Sequence, residues 1–395
     1  MSAAGTQLPY NPRVLEWARV RTGMAVDEVA KKINVATQKI IDWESGKSTP
    51  TTRQGRMLAA SYDRHFLEFF SDSIPQPSEV VLVPDYRTFK GKQAPGPKET
   101  RSMIAVQEWA EEQRLNALAI IEELGDRPPV FSQNLRFNLD ADIETAAEIS
   151  REAMGLSIDD QLQLKKALRY TFPEILRDKI EGMGVLVLKQ SGITKLGARG
   201  ICLFAEPLPV IIYGNESPGA QAFTLAHEFG HVLLGSSGIS GQPRLGGKSG
   251  HKAIEDWCNR FASAFLAPKA SIERALEKPS KPLEQFDTIA LGDLAQMFAM
   301  SRHAMLIRLV NLGYVRPEFY WKTMRPLFLE EEENHKSFGR PPYYGKRYVN
   351  AKGRFYTGLV MSAWSGGHVT AHNAAEYMGI KNLEHLKDIR EDYGF

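Results

Sequence analysis

The sequence of 395 residues predicts a mostly helical α+β fold with a small sheet. Helical periodicity dominates both ends of the chain. Three short runs rich in Val and Ile, each with strand character, lie close together in its middle, at 185–188, 201–204 and 210–213. Helical patterns resume after the third run instead of alternating with the strands. This order favours segregated helices and sheet over an alternating α/β fold.

The composition excludes several classes of protein. A hydrophobic fraction of 43% and a charged fraction of 24% are those of a folded globular protein, not of a disordered chain. A net charge of +2 gives no overall attraction to a polyanion, so any contact with nucleic acid must be local. The two cysteines, Cys202 and Cys258, exclude a disulfide framework and fit a reducing compartment.

The first residues lack the pattern of a signal peptide, and no apolar run reaches the roughly 18 residues that a membrane span needs. We therefore expect a cytoplasmic location and no membrane partner. Both cysteines are expected to be buried as small apolar side chains.

The N-terminal segment, 10–72, has the pattern of a small bundle of helices. Helices are predicted over 14–22, 26–33 and 37–44. The first is expected to end at Gly23, because glycine readily adopts the left-handed conformation that often ends a helix. Short connections between these helices predict a compact domain.

A linker containing one helix is predicted over 73–138. Prolines are frequent up to residue 100, and they cannot join the hydrogen bonding of a helix or a central strand. A helical pattern follows over 101–124, and a second linker over 125–138 leads to the next domain.

A third domain, predicted over 139–320, contains the strand-like runs. Helices near 143–154 and 159–170 precede them, and further helices follow. The remaining segment, 321–395, is predicted to be a helical module whose first helix begins near Thr357.

The segment FTLAHEFGH contains an HExxH pattern. His227 and His231 are four residues apart, so on a helix both imidazoles lie on one face and can share a metal ion. Zinc at such a site lowers the pKa of a bound water towards about 7, and Glu228 would take the proton as this water attacks a carbonyl. The alternative is a helix whose two histidines only make hydrogen bonds. An apolar helix tolerates three ionisable groups badly unless something pairs them, which favours zinc.

Two histidines and a water leave zinc one ligand short of a tetrahedron. Glu255, in the segment EDWCNRFASAFLAP, is the best candidate. Because polar positions recur there at a spacing of four, Asn259 shares its face and would accept the outer ring N–H of a histidine, fixing its tautomer. Asp256 and His251 remain alternatives for the third ligand.

Together, FTLAHEFGH and EDWCNRFASAFLAP resemble the ImmA/IrrE family of metallopeptidases, over about 143–315. The resemblance implies a zincin-like peptidase domain in which His227, His231 and Glu255 bind Zn²⁺. It also implies that Glu228 is the catalytic base. The chain is therefore expected to be a zinc metalloendopeptidase.

The sequence gives only candidates for the binding edge of the substrate and for the residue that stabilises the oxyanion. The strand-like run at 200–204 is expected to be the sheet edge on which an extended peptide substrate lies, pairing its main chain with the enzyme's. The residue that stabilises the oxyanion is not assigned; its candidates are Tyr213, His251, Arg302 and His303.

The second and third N-terminal helices are separated by Asn-Val, and the third runs into WESGKSTP. This pattern resembles the Cro/repressor-type, or XRE-like, helix-turn-helix family. The resemblance implies that Thr37, Gln38 and Lys39 lie near the start of a recognition helix, where side chains reach base edges in the major groove. Lys47 would contact phosphate.

These patterns lead to two hypotheses. In the first, the protein is a regulatory endopeptidase that cuts a specific protein, with a transcriptional repressor as one candidate, while the N-terminal domain binds double-stranded DNA. In the second, a DNA-binding transcriptional regulator carries a zincin-like domain that senses or scaffolds without turnover. The presence of Glu228 favours catalysis, because a scaffold has no need of that base. A homodimer is a further possibility.

Overall fold

A computed structural model describes residues 9–62, 64, 66–74, 97–164, 169–240, 250–276, 283–333 and 344–393. Backbone contacts divide the chain into two compact units. The described part of the first covers residues 9–74, with gaps, and 97–105. That of the second covers residues 106–393, with gaps. Among the helices described, none is both long and apolar enough to cross a bilayer. The predicted division into four segments stays a prediction.

The first unit is built from short helices. They are α1 (Pro12–Thr22), α2 (Val26–Lys32), α3 (Thr37–Glu44), α4 (Thr52–Tyr62) and a 3₁₀ helix at Phe66–Phe70. The Asn11 side chain caps α1 by accepting a hydrogen bond from the Arg13 N–H, and Gly23, with φ +72°, ends it. The predicted end at Gly23 and the predicted bounds of α3 are thus confirmed.

A short turn joins α2 to α3. Within it Asn34 has a φ of +56°, in the left-handed region that asparagine tolerates better than most residues. Apolar side chains from all four helices form a buried core, which includes Val14, Leu15, Val29, Ile40, Trp43 and Leu58.

Helix α5 (Pro97–Glu123) runs from the first unit into the second. The other helices of the second unit are α6 (Ile143–Ala153), α7 (Ile158–Gln163), α8 (Phe172–Gly182), α9 (Pro218–Leu234), α10 (Gly250–Leu266), α11 (Lys269–Ala275), α12 (Thr288–Met297), α13 (Arg302–Asn311), α14 (Arg325–Glu333), α15 (Tyr344–Lys352), α16 (Arg354–Ser365), α17 (Ala371–Met378) and α18 (Glu384–Tyr393). A π-helical segment, Phe319–Met324, precedes α14.

Four strands of the described chain form a mixed sheet. They are β1 (Leu186–Lys189), β2 (Gly200–Leu203), β3 (Val210–Tyr213) and β4 (Gly238–Ser240), in the order β1-β3-β2-β4. Strand β1 runs parallel to β3, and β2 is antiparallel to both β3 and β4. The fold is thus a mostly helical α+β fold, as predicted.

One expectation about the sheet is wrong. The run at 200–204 is not an edge, because β2 lies between β3 and β4 and pairs with both. Among the described strands, β4 is the edge on that side. Sequence reasoning missed β4 because it has only three residues, Gly-Ile-Ser, which is too short for a recognisable strand pattern.

Two predicted helix boundaries also need correction, and one helix was not predicted. Helix α7 ends at Gln163 and not near residue 170, and α8 was not predicted at all. The first α-helix of the segment 321–395 is α14, which begins at Arg325, and α15 begins at Tyr344; both lie well before Thr357. Tyr348 and Val349 give α15 a strand-like composition. Val349 is nevertheless buried in the fold, so tertiary packing outweighs local propensity here.

Helix α9 lies at the centre of the second unit. Pro218 occupies its first turn, where a missing N–H costs nothing, and Gly235, with φ +64°, ends it. Every residue from Ala222 to Leu233 is buried. Helices α8 and α10 and strands β2 and β3 pack against it. Any ionisable group on α9 is therefore enclosed by protein.

Candidate functional site

Helices α9 and α10 bring three ionisable side chains together. Nε2 of His231 lies 3.0 Å from Oε1 of Glu255, and Nε2 of His227 lies 3.5 Å from Oε2 of the same carboxylate. The two imidazole centroids are 5.1 Å apart. The spacing of four residues on α9 puts the two rings on one face, and α10 supplies the carboxylate opposite them. Asp256, the alternative on α10, is not the residue that meets the histidines.

The other ring nitrogens point away from Glu255. Nδ1 of His227 lies 3.1 Å from Oδ1 of Asn259, and Nδ1 of His231 lies 3.1 Å from Oγ of Ser236. An acceptor at Nδ1 fixes the tautomer in which Nε2 is unprotonated and free to bind a metal. Asn259 was expected to act in this way. Ser236 was not, although its position directly after the glycine that ends α9 keeps it close to the last turn.

Glu228 lies on the same helix and has no solvent-exposed surface. Its carboxylate abuts β2 at Gly200, where a methyl group would overlap Oε1 and Cδ of Glu228. Glycine inside a strand often marks such a close approach. The sequence held a signal for this contact, an isolated glycine at the start of a Val/Ile-type strand, but did not reveal its partner.

The donor set fits a divalent cation. Among the described residues, no group makes a well-aligned hydrogen bond to Nε2 of His227 or to either oxygen of Glu228, although all three atoms are buried. Buried polar atoms are otherwise almost always hydrogen-bonded. Two imidazole nitrogens and a carboxylate are a common set of protein ligands for zinc in catalytic sites.

A second combination of donors includes a thiol. One donor atom from each of His227, His231 and Cys258 lies within 4.8 Å of the others. Burial raises the pKa of the Cys258 thiol well above its usual value, which opposes the thiolate form that binds metals. Cys258 also packs on Gly230, where a methyl group would come within 3.2 Å of its sulfur. We favour Glu255, because its carboxylate faces both Nε2 atoms directly.

The electrostatics of the site follow from its burial. Burial raises the pKa of Glu228 to about 8. Burial acts in the same direction on Glu255, but the charges and hydrogen bonds of the two histidines outweigh it and lower the pKa of Glu255 to about 2. Burial lowers the pKa of His231, whereas for His227 the Glu255 carboxylate outweighs burial and raises the pKa. Glu255 is therefore ionised near neutral pH, as a ligand of a cation must be.

The candidates for oxyanion stabilisation are placed in other contacts. Arg302 forms an ion pair of 2.6 Å with Glu331, and Nε2 of His303 lies 2.9 Å from the Tyr320 hydroxyl. The ring of Tyr213 lies beside Lys189, 5.4 Å from its ammonium. The side chain of His251 lies outside the described residues. None of these contacts singles out an oxyanion donor.

The residues predicted to contact DNA all lie on the surface of the first unit. Thr37, Gln38 and Lys39, in the first turn of α3, and Lys47 after its end are exposed. The Gln38 amide donates a hydrogen bond of 2.9 Å to the Asp42 carboxylate on the next turn. The four side chains are thus available to a ligand.

Comparison with known proteins identifies one part of the chain. Residues 183–310 match the family model for the IrrE N-terminal-like domain of peptidase family M78. This range contains both histidines of α9 and the carboxylate of α10, and the match supports a metallopeptidase-family function. The N-terminal bundle lies outside it. Searches of curated proteins and of solved structures found no match.

Proposed function

We propose that this chain is a zinc-dependent endopeptidase in which His227, His231 and Glu255 bind the metal and Glu228 is the catalytic base. One observation carries the proposal: both Nε2 atoms converge on one carboxylate, at 3.0 and 3.5 Å, while both Nδ1 atoms are held by other side chains. The match to a metallopeptidase family over residues 183–310 supports it.

Bound zinc would supply a polarised water whose pKa falls towards about 7. The chain's own residues prepare the site for it. Asn259 and Ser236 hold the imidazoles with Nε2 facing inward. Glu228 accepts a proton from the attacking water at its carboxylate and delivers it to the nitrogen of the leaving amine.

Metal analysis of the purified protein, coupled to a cleavage screen with a proteome-derived peptide library read by mass spectrometry, tests the proposal. The wild-type protein should carry about one zinc per chain and cut peptides. Glu228→Gln should keep the zinc and lose at least about 100-fold in cleavage rate, the scale of general acid-base catalysis. Glu148→Gln, on the exposed face of α6, is the matched control.

Two outcomes would count against the proposal. Unchanged cleavage by Glu228→Gln would remove the base from the mechanism. Zinc-loaded wild-type protein that cuts nothing in the library would favour the second hypothesis, a regulator whose metal domain senses or scaffolds without turnover.

The substrate we propose is a specific protein, and the first unit is proposed to bind double-stranded DNA. Two observations support DNA binding. Helices α2 and α3 are joined by a short turn, as in a helix-turn-helix, and Thr37, Gln38, Lys39 and Lys47 are exposed on or just after α3. A DNA-binding unit on a peptidase would favour a target that is itself found at DNA. A transcriptional repressor is therefore the first candidate to test.

A further inference from the structure

Gly200 and Ser240 form a cross-strand pair beneath the Glu228 carboxylate. They are directly opposite each other in the antiparallel pairing of β2 with β4. Residues opposite each other in such a pair present their side chains to the same face of the sheet. At Gly200 that face is the one met by Glu228, because a methyl group there would overlap its carboxylate. The Ser240 side chain therefore faces the same carboxylate.

The Ser240 hydroxyl is enclosed with the other polar groups of the site. Only 3% of Ser240 is exposed. Its Oγ lies 3.5 Å from Nε2 of His231, the nitrogen that faces Glu255. Neither oxygen of Glu228 has a well-aligned hydrogen-bond partner among the described residues, so this carboxylate can still accept a hydrogen bond. Ser240 thus lies between the proposed base and a proposed ligand.

The direction of the hydroxyl proton depends on what His231 does. A ring nitrogen that serves as a metal ligand has no lone pair left to accept a hydrogen bond. With His231 engaged as a ligand, the Glu228 carboxylate becomes the acceptor for the Ser240 hydroxyl. A buried hydroxyl without an acceptor is costly, so this hydrogen bond should form.

We propose that Ser240 is a positioning residue for Glu228: its hydroxyl donates to the carboxylate and holds it towards the attacking water, while Gly200 leaves the space the carboxylate occupies. This inference rests on the proposed function, since it gives Glu228 the role of base. It assigns a catalytic contribution to β4, a strand that carries no recognisable motif. A serine that only fills space would be replaced by alanine without effect on catalysis.

The experiment compares wild type, Ser240→Ala and Ser240→Thr, with Ser150→Ala as the control. Ser150 is fully buried, and among the described residues its hydroxyl donates to a carbonyl of its own helix. Each protein is assayed for zinc content, for kcat and KM on a cleaved peptide, and for affinity for acetohydroxamate. This zinc-binding probe presents an acidic proton to the base.

We expect Ser240→Ala to keep its zinc and its KM but to lose about 10- to 100-fold in kcat, the range for loss of an outer-shell partner. Acetohydroxamate affinity should fall with it. Ser240→Thr, which keeps the hydroxyl, should recover most of both, and Ser150→Ala should match wild type. If Ser240→Ala has the same kcat and the same acetohydroxamate affinity as the wild type, the proposal is overturned.

A second variant keeps the proposal testable if Ser240→Ala does not fold. Gly200→Ala should displace the Glu228 carboxylate and lower kcat while it retains zinc. Gly192→Ala, whose new methyl group meets nothing within 4 Å, should retain both zinc and the wild-type kcat. Unchanged kcat in Gly200→Ala would contradict the proposal. If the wild type binds acetohydroxamate but cuts no peptide, the proposed peptidase activity fails, and probe affinity alone then decides the role of Ser240.

Discussion

Oδ1 of Asn259 lies 3.1 Å from Nδ1 of His227, and Asn259 follows Glu255 by one turn of α10. The same helix therefore meets both nitrogens of this imidazole, with a carboxylate at Nε2 and an amide at Nδ1. The ring is fixed in tautomer and in direction before any ion arrives. Such preparation raises the affinity of a metal site, because less order must be imposed on binding.

Asn259→Ala should weaken zinc binding by about 10- to 100-fold, since the His227 ring loses the acceptor that fixes its tautomer. Competition with a chelator of known zinc affinity measures the change. Asn311→Ala, at the exposed end of α13, removes an amide far from the site in sequence and should leave zinc affinity unchanged. Equal affinities for the Asn259 variant and the wild type would mean that the 3.1 Å contact does not support the ligand.

Gly353→Ala should destabilise the second unit more than Gly367→Ala does. Both glycines have positive φ, +85° and +78°, so alanine costs about 1 kcal/mol of strain at either. At Gly353 the new methyl group would also overlap the buried Glu181 carboxylate, adding about 1 to 3 kcal/mol, whereas at Gly367 it meets nothing within 4 Å. Urea denaturation of both variants measures the difference. Equal losses of unfolding free energy would contradict the close packing at Gly353.

Glu181 should make the stability of the protein fall as pH rises towards neutrality. Burial raises its pKa to about 7, and Arg177 and the Phe355 N–H offset this only in part. In the unfolded chain its pKa is about 4.3, so the folded state binds more protons between these values. This group's contribution to the free energy of unfolding is therefore largest below about pH 4. It falls by on the order of 3 kcal/mol as the pH rises to 7.

Urea denaturation of the metal-free protein at pH 5, 6 and 7 checks this. Glu181→Gln does not titrate, so its stability should decrease less over this range than that of wild type. Glu148→Gln, with an exposed side chain, should follow wild type. If wild type and Glu181→Gln change in parallel with pH, the carboxyl is already ionised at pH 5 in the fold.

Lys47→Ala should weaken binding of the protein to double-stranded DNA at every sequence tested. Log affinity falls with log salt, and one lost phosphate contact makes this slope less steep by about 1. Fluorescence anisotropy with labelled duplexes over a salt series measures it. Lys387→Ala removes the same charge from an exposed position on α18 and should have no such effect. Identical slopes for the two variants would argue against a phosphate contact at Lys47.

Much of the proposed metal site was visible in the sequence because its signals are local. His227 and His231 are four residues apart, so any helix brings their rings onto one face. Glu255 and Asn259 are also four residues apart and share a face on a second helix. The bounds of α3 and β3 also followed from local pattern. What sequence could not supply was the distance between the two helices.

The missing parts depend on long-range register. Gly200 and Ser240 are 40 residues apart and meet only because β2 and β4 pair in one register. A strand of three residues gives no periodicity from which that register could be read. Likewise, α15 looks strand-like in isolation and is helical in a context that buries Val349. Each case is a tertiary contact that outweighs or supplements local preference.

Anomalous diffraction at the zinc edge from crystals of the zinc-loaded protein tests the central claim most directly. We expect one strong peak about 2.0 to 2.1 Å from Nε2 of His227 and of His231, and within about 2.2 Å of a Glu255 oxygen. Cys258→Ser should give the same peak. A peak bonded to the Cys258 sulfur, with Glu255 turned away, or no peak between the histidines, would contradict the claim.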